Sequence, residues 1–216
     1  MTDAEAGRPE VVRVSERAFL VRFDEGNEEI AARRVHALLR LFDSHPPGGL
    51  VSLLPAASSL LVEGDGRLDA AALERLVCEA GGPRPGERPA RTHLLEVAPG
   101  GPDLGSVLET TGLAEPRFWT ALEETRLVVA FVGFSPGFAY LAGLPPLLRV
   151  PRRPAPRPRV PAGSLALGGP YAGIYPSATP GGWNLVGRCE RPLFDPRRDP
   201  PALLATGDVV RLRLLR

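Results

Sequence analysis

The residues best suited to bind a ligand lie after residue 131, where aromatic side chains alternate with glycine-rich turns. All three tyrosines, Tyr140, Tyr171 and Tyr175, fall within 36 residues, and Trp183 follows a Pro-Gly-Gly turn. Glycine lets a backbone approach a ligand closely, and a tyrosine or tryptophan beside it supplies a flat apolar wall with a polar edge. The pattern fits a binding pocket, and it fits equally well the packed core of a small barrel.

Ser135 stands in the sequence Gly-Phe-Ser-Pro-Gly at 133–137, which matches the G-x-S-x-G pattern of serine hydrolases. The oxyanion hole of that motif uses the backbone N–H of the residue after the serine, and Pro136 has none. The triad histidine should also follow the serine, whereas His36, His45 and His93 all precede it. We therefore reject a serine hydrolase and predict that the three histidines are structural or lie on the surface.

The absence of lysine excludes further chemistries. All 26 basic residues are arginine. A P-loop, a Schiff-base or pyridoxal lysine and a biotinylated lysine all need the missing amine. Any phosphate contact must therefore come from arginine or from backbone N–H groups.

Charge is distributed unevenly along the chain. Residues 1–148 carry 14 arginines against 21 acidic residues, a balance of −7, whereas residues 149–216 carry 12 arginines against four, a balance of +8. A basic C-terminal part of this size suits a small carboxylate or phosphate ligand, or an acidic protein surface, better than nucleic acid. We expect no nucleic-acid partner.

Cysteine usage and hydropathy give the expected environment. Cys78 and Cys189 stand 111 residues apart, which fits neither a disulfide framework nor a zinc site. The longest apolar run, Leu127–Val132, is far too short to span a bilayer, and no secretory or transit segment is recognisable at the start. We expect a cytoplasmic protein without a membrane partner.

Residues 1–98 are predicted to form a small α+β domain. Its strands are expected at 11–14 and 19–23 (one long strand or a hairpin), 50–54, 59–63 and 92–98, and its helices at 31–42 and after Asp69. Strand, helix, strand, strand, helix, strand is the order of the split βαβ, or ferredoxin-like, fold, in which two helices cover one face of an antiparallel sheet.

The rest of the chain is predicted to hold a helical connector and a barrel. Residues 99–126 carry helical signals at 104–111 and 115–124, with Pro116 suited to a first turn. From 127 to 216, short apolar runs at 165–167, 183–186 and 209–214 alternate with glycine and proline, which favours a small barrel or sandwich. Residues 151–160 contain four prolines and four arginines and should run extended across the surface.

The sequence GFSPGFAYLAGLP at 133–145 resembles the GFxPGFxYLxGL signature of the allophanate-hydrolase subunit 1 family, also called the family of 5-oxoprolinase B subunits or the KipI family. Further motifs follow in the family's order: PR at 151–152 and 156–157, VPAGS at 160–164, GIYP at 173–176, PGGW at 180–183, GR at 187–188, LFD at 193–195 and GD at 207–208. The resemblance is weaker over 1–126. It implies a cyclophilin-like β-barrel domain at 127–216 behind a small α+β domain.

The resemblance also implies partners. Bacterial members typically pair with a homologous C subunit. With a further, A subunit they form an ATP-dependent 5-oxoprolinase that opens 5-oxoproline to glutamate, while fused relatives form the carboxyltransferase part of urea carboxylase. Because this chain has no lysine and no phosphate loop, we expect it to bind no cofactor alone, with ATP and Mg handled by the complex. One branch inhibits a sporulation histidine kinase, and a KipI-type regulator is the alternative hypothesis.

Three departures from the family pattern affect the expected pocket. Tyr171 and Ala172 replace a usual Gln-Thr pair, Cys189 replaces a common threonine, and no histidine occurs in 115–126. These changes remove an amide, an imidazole and hydroxyl groups that could form hydrogen bonds. They favour either a subunit without a complete active centre or the kinase regulator, which would dock on a kinase through apolar and arginine-rich loops.

Our preferred hypothesis is a subunit that supplies one wall of a shared site, with no catalytic residue assigned. Gly137 and Gly182 would allow close backbone approach, and Arg157 or Arg188 would pair with a carboxylate or phosphate. The candidate wall and binding residues from the motifs are Phe138, Tyr140, Ser164, Tyr175 and Trp183. We expect the rings of Phe138, Tyr175 and Trp183 to meet on one concave surface that another polypeptide completes.

Overall fold

The chain divides into two compact units, Met1–Pro89 and Ala90–Arg216. The structure is a computed structural model, and it describes residues 9–23, 28–79 and 90–215. None of the helices in these ranges is long and apolar enough to cross a bilayer.

The first unit is an antiparallel sheet with two helices packed against it. Its elements are β1 (Glu10–Ser15), β2 (Ala18–Arg22), α1 (Glu28–Ser44), β3 (Leu50–Pro55), β4 (Ser59–Gly64) and α2 (Ala70–Glu79). One apolar cluster joins Val21 and Val62 of the sheet to Leu38 of α1 and Leu73 of α2. Asp69 caps α2 as predicted, because its carboxylate accepts the Ala72 N–H at 3.1 Å.

The strand order of this sheet, β1-β2-β4-β3, differs from the predicted one at a single position. As in a split βαβ unit, β4 lies between β2 and β3. The remaining place beside β2 is taken by its hairpin partner β1, and the segment 92–98 is absent from the sheet. The prediction of a ferredoxin-like domain that ends at residue 98 is therefore wrong in its last strand and in its boundary. Periodicity shows which face of a strand is buried and does not show which sheet the strand joins.

The second unit is a closed seven-stranded β-barrel, with a separate two-stranded sheet and two helices. Its elements are β5 (Thr92–Pro99), α3 (Leu104–Thr111), α4 (Glu115–Glu124), β6 (Leu127–Val132), β7 (Ala139–Ala142), β8 (Arg157–Val160), β9 (Ser164–Gly168), β10 (Tyr171–Ile174), β11 (Thr179–Gly181), β12 (Asn184–Arg188) and β13 (Val209–Leu214). The order around the barrel is β10-β7-β6-β13-β5-β12-β9, and β9 pairs with β10 to close it. Strands β8 and β11 form the separate sheet. The predicted barrel is confirmed, although it begins at β5 rather than at residue 127.

The two helices predicted as a connector belong to the barrel unit. Val107 of α3 and Phe118 and Leu122 of α4 are buried in the same apolar cluster as Val129 and Leu141 of the barrel strands. Their burial, 1% exposed or less, is that of core residues. The segment 99–126 therefore covers the barrel instead of linking two domains.

The parallel pair of β5 and β13 is fixed at its start by one buried carboxylate. Asp208 is 2% exposed and accepts backbone N–H groups of Arg91 and Ala205 at 3.1 Å. His93 Nε2 lies 3.0 Å from the same carboxylate. His93 is therefore a structural histidine, as the sequence predicts.

Candidate functional site

Aromatic residues cover part of the outer face of the barrel. Alternate residues of a strand point to opposite faces, and Ala172 and Ile174 of β10 lie in the barrel core. Tyr171 and Gly173 therefore face outward. The rings that meet on this outer face are Phe131, Phe134, Phe138, Tyr140, Tyr171, Tyr175 and Trp183, called the aromatic cluster below.

A β-bulge in β6 brings Phe131 into this cluster. The register between β6 and β7 shifts between Val129 and Phe131, so that Val129 opposes Leu141 while Phe131 opposes Tyr140. Without the extra residue, Phe131 would share the inward face of Val129. The Phe131 and Tyr140 rings stack with their centroids 4.1 Å apart. This cross-strand pair anchors one side of the cluster.

Phe138 is the centre of the cluster. Its ring centroid lies 5.1 Å from Tyr175 and 5.6 Å from Trp183, both edge-on, and 5.1 Å from Tyr140. Phe138, Tyr175 and Trp183 are only 2–5% exposed, whereas Phe134 at the edge is 59% exposed. The three rings expected to meet do meet, with Tyr140 half-buried beside them.

Gly173 makes room for two of these rings. A Cβ added there would lie 2.9 Å from Phe138 Cζ and 3.0 Å from Trp183 Cζ3, closer than packed carbon atoms tolerate. The absence of a side chain thus lets both rings approach the outer face of β10 closely. This close approach is the physical reason for the glycine in the GIYP motif.

One cation lies over the cluster. The Arg152 guanidinium carbon is 5.7 Å from the Trp183 ring centroid, within the range of a cation–π contact. Burial raises the pKa of both Tyr140 and Tyr175 above the ordinary phenol value, and the nearby Arg152 charge only partly offsets this rise. Both phenols are therefore protonated near neutral pH and can donate hydrogen bonds.

Arg157 and Arg188, the arginines predicted to pair with a ligand, are bound within the chain. Asp103, 4% exposed, accepts from Arg157 Nη2 at 2.6 Å and from Arg153 Nη1 at 2.8 Å, and its other oxygen accepts the Leu185 N–H at 2.7 Å. Arg188 pairs with Glu190 at 2.8 Å on the exposed surface. Asp103, fifty residues before the arginine-rich segment, could not be recognised as its partner from the sequence.

The charge state of Asp103 follows from these contacts. Burial by itself would raise the pKa of this carboxyl group. The hydrogen bonds from Arg157 and the Leu185 N–H, with the charges of Arg157 and Arg153, outweigh burial and hold the pKa below its ordinary value of 3.8. Asp103 is therefore ionised at neutral pH and holds α3, β12 and the arginine-rich segment together.

The structure gives other roles to three predicted site residues. Gly137 has φ of +77°, and a Cβ there would lie 2.7 Å from Phe194 Cβ, so its backbone approaches Phe194. A Cβ at Gly182 would meet atoms only at 3.7 Å or more, so no close approach requires glycine there. The buried Ser164 donates its hydroxyl to the Pro161 carbonyl at 2.8 Å, inside a turn.

Within the described residues, no group of three or more histidine, cysteine, aspartate or glutamate side chains could hold a metal ion. Cys189 is 2% exposed and belongs to the barrel core. Burial raises the pKa of its thiol, which therefore stays protonated and unreactive.

Comparison with known proteins identifies the family. The family model described as carboxyltransferase domain, subdomain C and D, matches residues 9–204. The chain belongs to this family. The B subunit of 5-oxoprolinase from Bacillus subtilis (strain 168) is 30% identical over 220 residues, which cover 94% of this chain and 92% of that protein. The resemblance to the family of 5-oxoprolinase B subunits, or allophanate-hydrolase subunit 1, is confirmed.

Two further relatives match over different shares of their length. The B subunit of 5-oxoprolinase from Escherichia coli O157:H7 is 53% identical over 112 residues, which are 52% of this chain and 51% of that protein. The crystal structure of TTHA0988 superposes with a TM-score of 0.80 at 40% identity, covering 93% of this chain and 40% of that one. The matched region is thus about half of the first relative and less than half of the second.

The family motifs map onto the aromatic cluster, and one of the departures from the family pattern does too. Tyr171 extends the cluster, with its ring 5.8 Å from Tyr140 and 5.9 Å from Phe131. Ala172, 0% exposed, faces the barrel core and cannot reach a ligand on the outer face. Sequence reasoning missed Phe131 and Arg152, and it named Tyr171 among the clustered tyrosines but not among the candidate wall residues. Arg152 had a signal, since it lies in the family's PR motif.

Proposed function

We propose that this chain is the B subunit of an ATP-dependent, 5-oxoprolinase-like hydrolase that opens 5-oxoproline to glutamate in the cytoplasm. Its role is to supply one wall of a site that two partners, a homologous C subunit and an A subunit, complete. The names of the Escherichia coli and Bacillus subtilis relatives support the activity. The family motifs support the location, because they converge on the aromatic cluster.

The observation that carries this proposal is the meeting of Phe138, Tyr175 and Trp183. These rings come from three separate segments and lie outside the apolar cluster that fills the barrel. The barrel interior is already filled by that cluster and does not need a second, aromatic layer of this kind for its own packing. An aromatic surface with a polar edge is the usual lining of a small-molecule site.

The chemistry itself is assigned to the partners. The chain contains no lysine, and its ionised Asp103 is occupied by Arg153 and Arg157. We therefore place ATP, with its Mg, on the other subunits. This chain contributes binding and orientation of the substrate, a role that lowers the barrier by holding reactants in a productive geometry.

Reconstitution tests the proposal. The A and C subunits from the same organism are mixed with and without this chain, and ATP hydrolysis dependent on 5-oxoproline is measured. We expect activity only with all three proteins. Full activity from the two partners alone would show that the chain is not part of the enzyme.

Two matched substitutions locate the site. Phe138→Leu changes the centre of the aromatic cluster, and Phe118→Leu changes a phenylalanine of the barrel core, with both side chains 2% exposed or less. Each removes a buried ring, so both should lower stability to a similar extent. Only Phe138→Leu should lower kcat/KM of the reconstituted enzyme at a temperature where both variants are folded. Equal losses of activity would argue against a site at the cluster.

The kinase-regulator hypothesis has one structural observation in its favour. Phe134 is a large aromatic residue, 59% exposed, at the edge of the aromatic cluster, and exposed aromatic side chains are frequent anchors of protein interfaces. Candidate histidine kinases are tested for loss of autophosphorylation with saturating protein, and Phe134→Ala should restore it. Unchanged autophosphorylation would remove this alternative.

A further inference from the structure

We propose that Arg152, held over the Trp183 indole, and the Tyr140 hydroxyl form a binding site for the carboxylate of a small cyclic acid such as 5-oxoproline. The identity of the acid rests on the proposed function. The location of the site rests on the geometry of the structure. The inference replaces Arg157 and Arg188 with Arg152 as the ligand-binding cation.

The backbone on both sides of Arg152 is tied to the residues on both sides of Trp183. Arg153 N–H donates to the Gly182 carbonyl at 2.8 Å. The Asn184 side-chain amide, 9% exposed, donates to the Pro151 carbonyl at 2.8 Å. These two bonds hold the arginine-rich segment alongside the Trp183 turn, so the position of Arg152 over the indole is built into the fold. Such preorganisation reduces the entropy lost on binding.

Arg152 differs from its neighbours in what its guanidinium contacts. Arg153 and Arg157 donate to Asp103, and Arg149 donates to the Leu144 carbonyl at 2.9 Å. In the described parts of the chain, Arg152 has no carboxylate or carbonyl partner, and it lies over the Trp183 ring. Its charge is therefore held in place and left free for an anion.

The hydrogen-bond donors match a carboxylate. The Tyr140 phenol is protonated, and its hydroxyl has no acceptor among residues 9–23, 28–79 and 90–215. A guanidinium and a phenol O–H together can serve the two oxygens of one carboxylate. Arg153 and Arg157, the next arginines along the segment, both direct a nitrogen at Asp103 instead.

The remaining surface suits a small ring. The Trp183 indole, 5% exposed, forms an apolar floor beneath the cation, and the half-buried Tyr140 ring meets it edge-on at 5.4 Å. A five-membered lactam held by its carboxylate would leave its amide bond, the bond that the reaction breaks, to groups of the partner subunits. The division of labour in the proposed enzyme follows from this arrangement.

The test uses the two tryptophans of the full chain, Trp119 and Trp183. Each gives one indole N–H signal in a ¹H–¹⁵N spectrum, and Trp119, whose indole lies 3.3 Å from Glu115 on α4, is the internal control. Titration with 5-oxoproline should shift the Trp183 signal to saturation, with a Kd of about 1–10 mM for so small a ligand, and should leave Trp119 unchanged. The control ligand 2-pyrrolidinone, which has the same lactam ring without the carboxylate, should bind at least about tenfold more weakly.

Three variants complete the test. Arg152→Gln should weaken 5-oxoproline binding about tenfold or more and Tyr140→Phe several-fold, because each removes a donor to the carboxylate. Arg159→Gln, which changes an exposed arginine of the same segment, should leave the Kd unchanged. Equal shifts with both ligands, no saturable shift at Trp183, or equal effects of Arg152→Gln and Arg159→Gln would each overturn the inference.

The inference and the proposed function fail separately. Binding that depends on Arg152 in a chain that restores no 5-oxoproline-dependent ATP hydrolysis would leave the carboxylate site standing and refute the role in the enzyme. If Arg152→Gln leaves the KM of the reconstituted enzyme for 5-oxoproline unchanged, the role in the enzyme stands and the carboxylate site is refuted.

Discussion

The two faces of the barrel wall carry different kinds of apolar residue. The inner face is lined by aliphatic side chains such as Val129, Leu141 and Ile174, which fill the interior. The outer face between β6, β7 and β10 carries rings with polar edges, such as Tyr140 and Tyr175. Aliphatic residues maximise packing, whereas tyrosine and tryptophan combine apolar area with hydrogen-bond donors. The comparison separates residues that hold the fold from residues that can recognise a ligand.

The largest expected effect contrasts two adjacent residues of β7. Leu141 is 1% exposed in the barrel core and Tyr140 lies on the outer face. Leu141→Ala should lower the free energy of unfolding by about 2–5 kcal/mol, because it leaves a cavity. Tyr140→Phe, which keeps the ring, should lower it by less than about 1 kcal/mol. Urea denaturation measures both, and similar losses would mean that the two faces contribute equally to stability.

The next effect concerns Asp103, which joins the barrel to the arginine-rich segment. Asp103→Asn should lower the free energy of unfolding at pH 7 by about 1–3 kcal/mol. This loss is smaller than that expected for a fully buried ion pair, because both arginines are partly exposed to solvent. Since folding lowers the pKa of Asp103, its contribution is complete above the ordinary value of 3.8 and is lost as pH falls through the lower pKa of the folded state. The difference in free energy of unfolding between the unsubstituted protein and Asp103→Asn, the stability gap, should therefore become smaller as the pH falls. A gap that is constant from pH 7 to the acid transition would contradict this assignment.

An effect of comparable size is expected where the outer face is tightest. Gly173→Ala places a methyl group against Phe138 and Trp183, and should cost about 1–3 kcal/mol of stability through overpacking. The matched variant Gly105→Ala, on the exposed side of α3 where an added Cβ meets nothing within 4 Å, should be neutral or stabilising. Thermal unfolding compares the two. The fluorescence of Trp183 should change only in Gly173→Ala, because only that methyl group meets the indole.

The smallest effect is at Phe134, which has φ of +69°. This left-handed conformation is unfavourable for a bulky residue and easier for asparagine. Phe134→Asn should therefore leave stability unchanged or raise it by up to about 1 kcal/mol, while it removes an exposed ring from the cluster edge. We expect lower activity or weaker partner binding in the reconstitution assay. A clear loss of stability would show that Phe134 contributes packing instead.

The sequence was sufficient for most elements because their signals are local. The short runs that became β9, β12 and β13, and the helices α3 and α4, were recognised from residues close together in the chain. The strand that pairs with residues 92–98 could not be recognised in this way, because β5 pairs in parallel with β13, more than a hundred residues later. A strand pattern carries no information about such a distant neighbour.

The candidate site shows the same limit at the level of single side chains. The motifs predicted that Phe138, Tyr175 and Trp183 meet, and they do. The prediction of Arg157 or Arg188 as the ligand-binding arginine did not foresee that Arg157 donates to Asp103, which lies far upstream. Which charge stays free is decided by tertiary contacts and cannot be found in the local pattern.

The pairing of β5 with β13 has a consequence for biosynthesis. These are the first and last strands of the barrel unit, and each is the other's neighbour. During translation the wall has a gap until the final strand leaves the ribosome, so the two edges beside that gap stay open to aggregation or to chaperones. Closure of this unit must therefore follow the synthesis of its last strand, whereas the hairpins of the first unit can form while synthesis continues.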